Sequence, residues 1–223
     1  MKLRRTFISA VVSVLCVLLL AQAAGGHTED FYDGNEWADL SVEYYRASDG
    51  ASWNNTWVNN LNDADATWGD ISSSDGFLFV QQSVLRDQTS CINLLNEDST
   101  VKRYDFGDGT GGLLGFTDVC HLGSSDEKFE MQLDTATNWY HTTGNDGVNG
   151  TVSALGVLTH ELGHATGFGI SFTGSAHFSS PCDWVNNPQT AQTMCPDGGG
   201  DSDRLWRWTS LETHDLHEFQ SAF

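Results

Sequence analysis

His160 and His164 stand four residues apart, and Glu161 directly follows the first of them, in the run His160-Glu161-Leu162-Gly163-His164. On a helix that spacing puts both imidazoles on one face, one turn apart. Two imidazoles so placed can share one zinc ion, at nitrogen–metal distances of about 2.0–2.1 Å. Glu161 lies one residue round and can polarise water at the metal without being a ligand itself. Leu155, Leu158 and Leu162 recur at helical spacing and predict a buried face opposite the metal. Gly167 and Gly169 predict a helix stop, so the helix is expected within Val152–Phe168. The competing reading is a surface helix that carries two incidental histidines.

The longer run His160-Glu161-x-x-His164-x-x-Gly167 resembles the metzincin zinc endopeptidases, whose pattern is H-E-x-x-H-x-x-G-x-x-H. In that family the glycine turns the chain so that a third ligand, three residues on, reaches the zinc. Here that position is Ile170, which cannot bind a metal. His177, in Gly174-Ser175-Ala176-His177-Phe178, lies seven residues beyond it, and the resemblance implies it as the displaced third ligand. Asp183 is the runner-up, because a carboxylate can replace imidazole. Thr193-Met194-Cys195-Pro196 resembles the Met-turn of the family, with Met194 as a packing floor beneath the histidine rings and not a ligand. The stretch FEMQLDTATNWYH before the helix looks like the matrixin-like branch.

The resemblance implies an α+β fold of the zincin-like, metzincin type. It consists of a twisted sheet, then the zinc-binding helix, then a small C-terminal half ending in a helix over Ser210–Phe223. It further implies a secreted zinc-dependent endopeptidase acting on protein or peptide substrates, with Glu161 as general base. An edge strand near Leu113–Thr117 would hold the substrate extended by backbone pairing. The resemblance implies that residues 197–208 line the pocket for the residue after the cut bond, with no single substrate-binding residue assigned. Two other readings stay open: a non-catalytic zinc-binding protein that retains the fold, and an acidic adhesion module in which the motif is accidental.

Several elements must position these residues. Phe77–Val84, Leu113–Val119 and Phe129–Leu133 read as strands. In the last, Phe129, Met131 and Leu133 alternate with Glu130 and Gln132, which predicts one core face and one wet face. Trp37, Leu40, Tyr44 and Tyr45 fall near one helical face and predict a short amphipathic helix over Glu36–Ala47. Residues 48–76, rich in Asp, Asn, Ser and Trp, read as turns with short elements. Residues 96–112 hold Asp105-Phe106-Gly107-Asp108-Gly109-Thr110-Gly111-Gly112, a glycine and aspartate loop. Both a calcium site and a solvated turn fit that loop. Asn54-Asn55-Thr56 and Asn149-Gly150-Thr151 match the glycosylation sequon.

Residues 1–24 read as a secretory signal: Lys2, Arg4 and Arg5, then the apolar run Phe7–Leu20, then Ala21-Gln22-Ala23. Residues 25–60 are expected to be an N-terminal extension or short propeptide, and residues 61–223 the peptidase-like domain. Cys91, Cys120, Cys182 and Cys195 then remain, an even count that favours two disulfides in an exported chain. The local pairings Cys91–Cys120 and Cys182–Cys195 are preferred among three possible. The chain carries 10 Lys and Arg against 30 Asp and Glu, a net charge of −20. Removal of the three basic signal residues makes it about −23. That acidity argues against nucleic acid and anionic membrane surfaces as partners. The mature chain is expected as a monomer.

Overall fold

A computed structural model of the chain describes residues 36–37, 41–69, 78–88, 98–107, 109, 113–122, 125–141 and 151–166. All of them belong to the compact unit Phe31–Phe223, and the other unit, Met1–Asp30, falls outside the described residues. The architecture is α+β. In chain order it comprises β1 (Glu36–Trp37), β2 (Ser41–Ala47), α1 (Asn55–Gly69), β3 (Leu78–Arg86), β4 (Ser99–Tyr104), β5 (Gly115–Leu122) and β6 (Ser125–Asp134). Next come β7 (Trp139–Tyr140), β8 (Val152–Ser153) and α2 (Ala154–Ala165). Among the described residues, no helix is long and apolar enough to cross a membrane.

The main sheet runs β3-β2-β4-β6-β5. β2, β3, β4 and β6 are parallel, and β5 lies antiparallel to β6, with Thr117 opposite Met131 and Gly115 opposite Leu133. The short β1 pairs parallel with the start of β6. Parallel neighbours cannot be joined by a tight turn. α1 supplies that crossover between β2 and β3, and it packs with α2 over the core. Val42, Phe79, Val101, Phe129, Met131 and Leu133 point from the strands into that core. Trp57, Leu61, Ala64 and Trp68 meet them from α1, and Leu155, Leu158 and Leu162 from α2.

Three sequence expectations are corrected here. Within the expected helix Glu36–Ala47, the described residues Glu36–Trp37 and Ser41–Ala47 are strands, not helix. In Ser41–Ala47 the exposed Ser41 and Glu43 alternate with buried Val42 and Tyr44, so period two prevails over the helical spacing of Trp37, Leu40 and Tyr44. β-Branched and aromatic side chains also suit the pleated surface. Residues 48–76 contain a full helix, α1, which Asn54 caps by accepting from the Trp57 backbone N–H at 3.1 Å. Ahead of the glycine and aspartate loop, Ser99–Tyr104 is a further strand, buried at its start. Finally, the outer face of β6 is not wet: Lys128 is fully buried and Glu130 is 6 % exposed, the two paired at 3.3 Å.

Strands are found where expected around Phe77–Val84, Leu113–Val119 and Phe129–Leu133, with their ends shifted by a few residues. The expected boundary between residues 60 and 61 falls inside α1, and β2 sits between β3 and β4 in the sheet. In the glycine and aspartate loop, Gly107 and Gly109 adopt φ of 75° and 82°, a left-handed conformation that costs glycine little. Asp105 closes the turn by accepting from the Gly107 N–H at 2.8 Å. Cys120 is buried and disulfide-bonded, and every other cysteine lies outside the described residues.

Candidate metal centre

The segment that leads into α2 is pinned before the helix begins. Asp134, at the end of β6, accepts from the Phe106 and Ala136 N–H groups and from the Thr137 hydroxyl. Its burial alone would raise the carboxyl, but these hydrogen bonds outweigh that and hold it below its ordinary range. The Asp134 carbonyl accepts from the Trp139 indole at 2.7 Å, which sets the start of β7. β7 then pairs in parallel with β8, Trp139 opposite Val152 and Tyr140 opposite Ser153.

Ser153 serves as the N-cap of α2, with its hydroxyl accepting from the Gly156 N–H at 3.0 Å. Every residue from Ala154 to Ala165 is buried. The leucine face is therefore in the core as expected, and the histidine face is also covered. Trp68 of α1 donates its indole N–H to the Thr159 carbonyl at 2.7 Å, one residue before His160. The helix ends at Ala165, and Thr166 donates to the Gly163 carbonyl at 2.7 Å. Gly167 and Gly169 lie outside the described residues.

His160 and His164 are 4 % and 7 % exposed, and their Nε2 atoms face each other at 3.1 Å. Two nitrogens bound tetrahedrally to one zinc ion at about 2.0–2.1 Å would stand about 3.3 Å apart. The pair is thus already close to the bite that a shared zinc ion requires. Between them in sequence, Glu161 is 5 % exposed. Burial pushes its carboxyl up to about 8, opposed by a hydrogen bond from Thr117. Thr117 Oγ1 lies 2.9 Å from Glu161 Oε2 and 3.0 Å from the Glu161 carbonyl oxygen.

The structure brings together His160, Glu161 and His164. His177, Asp183 and Met194 lie outside the described residues, as do Cys91, Cys182, Cys195 and the C-terminal stretch Ser210–Phe223. Among the described residues, no group of three or more His, Cys, Asp or Glu converges to hold a metal. Sequence reasoning missed Thr117, Gly115 and Trp68 as neighbours of the site. A Cβ at Gly115 would sit 3.0 Å from the Gln132 carbonyl oxygen and 3.3 Å from Glu161 Cγ, so a side chain there would crowd the carboxyl stem. These contacts are set by strand register and helix packing, which no local motif encodes. No family model and no curated protein matches the chain.

Proposed function

We propose that the protein is a secreted zinc-dependent endopeptidase with a metzincin-like catalytic domain, exported through the signal in residues 1–24. The observation that carries this reading is the pair of facing Nε2 atoms, 3.1 Å apart on α2, with Glu161 in the same helical turn. The donor set fits zinc: two imidazoles on one helix face, with His177 proposed as third ligand and Asp183 as its alternative. Zinc would supply Lewis acidity, polarising the peptide carbonyl and acidifying water.

The chain's own residues do the rest. Glu161, in its ionised form, takes a proton from the attacking water and passes it to the leaving amine. Its buried surroundings favour the proton-bearing state after the first transfer, which suits the second. β5 has β6 as its only strand partner among the described residues, so its other edge offers backbone N–H and C=O groups to an extended peptide. Met194 is proposed to pack beneath the histidine rings.

The test uses mature protein and the variants Glu161→Ala and His177→Ala, assayed for zinc content and casein cleavage. The wild type should bind one zinc ion and cut. Glu161→Ala should bind zinc and not cut, and His177→Ala should lose both. Zinc bound without cleavage by the wild type would instead favour the non-catalytic zinc-binding protein. Normal zinc and activity in His177→Ala would send the third ligand elsewhere, with Asp183→Ala the next variant.

A further inference from the structure

Thr117 and Glu161 are 44 residues apart in sequence, yet one hydroxyl meets both the side chain and the backbone of Glu161. The β5–β6 register explains how. Thr117 lies opposite the fully buried Met131, so alternation along β5 turns residues 115, 117 and 119 toward the helices. Position 115 is glycine and leaves space for the Glu161 stem, while position 117 supplies a donor to its tip. An unrestrained glutamate samples many rotamers. Threonine is stiff at χ1, so the direction of its hydroxyl follows the strand backbone.

We propose that Thr117 is a positioning residue, which holds the Glu161 carboxyl in one orientation against β5. The strand offered to an extended peptide would then also aim the general base. This rests on the peptidase reading above. It identifies a role for a side chain that the H-E-x-x-H run does not contain.

Thr117→Val keeps the β-branched shape and removes the donor, whereas Thr117→Ser keeps the donor. Trp68→Phe is the control, because it releases a side-chain grip on the α2 backbone at Thr159 without touching the carboxyl. In the full chain, Thr117→Val should lower kcat about ten- to hundredfold, with KM and zinc content unchanged, since small misplacements of a reacting group cost that much. Thr117→Ser should restore most of the loss. Trp68→Phe should lower Tm without that selective fall in kcat. Wild-type kcat in Thr117→Val would overturn the proposal. Equal impairment of the Ser and Val variants, or the same kcat loss in Trp68→Phe, would overturn it too.

A stability cycle on metal-free protein separates this proposal from the peptidase reading. The Tm shifts of Thr117→Val and Glu161→Gln should combine non-additively, because the residues touch. Additive shifts would remove the contact itself, whatever the enzyme does. A wild type that binds zinc and cuts nothing, with shifts still non-additive, would leave Thr117 a structural brace and overturn the positioning role.

Discussion

Two carboxyls in this protein, Glu161 buried and Asp65 half-buried, share one local chemistry and differ in their neighbours. Glu161 is pushed up to about 8 by burial and bonded to the Thr117 hydroxyl. Asp65 on α1 is pushed up to about 7 by burial and bonded to the Tyr44 hydroxyl at 2.5 Å. Tyr44 in turn accepts from the Gln81 amide at 3.0 Å, and its own hydroxyl is pushed well up, by burial first and then by the Asp65 charge. The difference lies around them. Beside Glu161 stand two imidazoles whose Nε2 atoms converge. Asp65 instead faces Tyr44 of β2, which Gln81 also bonds, and its Oδ1 is buried with no hydrogen-bond partner among the described residues. A raised pKa marks both sites, so only the converging imidazole pair distinguishes a candidate catalytic carboxyl from a structural one.

The largest expected effect breaks that symmetry directly. Glu161→Gln should cost about 10²–10⁴-fold in peptide cleavage while zinc content stays at one ion per chain. Asp65→Asn should leave cleavage within about threefold, a change too small for the loss of a general base. Comparable losses in the two variants would mean that burial, not the imidazole pair, sets function.

The next effect is on stability and its pH dependence. The folded-state pKa of Asp65 lies above the ordinary carboxylate value, so the folded chain binds that proton more tightly than the unfolded chain. Its contribution to stability is fully present below about pH 4 and is lost as pH rises through about 7. In thermal melts, wild type should therefore lose Tm between those limits more steeply than Asp65→Asn. Parallel curves would show that the carboxyl titrates normally in the fold.

The smallest effect concerns the helix that carries Asp65. Asn54→Ala removes the α1 cap and should cost about 1 kcal/mol in denaturant melts, with zinc content unchanged. Loss of zinc on that substitution would tie α1 to the metal centre far more tightly than the contact from Trp68 implies.

The helix α2 was legible in sequence because two patterns coincide there: the histidine–glutamate spacing and the leucine recurrence at 155, 158 and 162. The β6 core face was legible because Phe129, Met131 and Leu133 alternate strictly, and all three are fully buried. α1 was not, since Asn, Asp and Thr fill it and favour turns and caps over helix interiors. Its core stripe was nonetheless present: Trp57, Leu61, Ala64 and Trp68 follow helical spacing, and tertiary burial of that stripe outweighs the poor local propensity. The stretch Glu36–Ala47 misled for the opposite reason, because Trp37, Leu40 and Tyr44 happen to match a helical period. Thr117 was illegible on any local rule: it reaches Glu161 only through the pairing of β5 with β6 and the packing of α2 on that face.

X-ray absorption at the zinc edge of the purified full-length chain tests the central claim most directly. One zinc ion per chain is predicted, with nitrogen and oxygen scatterers at about 2.0–2.1 Å, and with the imidazole signature lost in His160→Ala. No bound zinc, or a sulfur shell at about 2.3 Å that persists in His160→Ala, would contradict a metal centre built on α2.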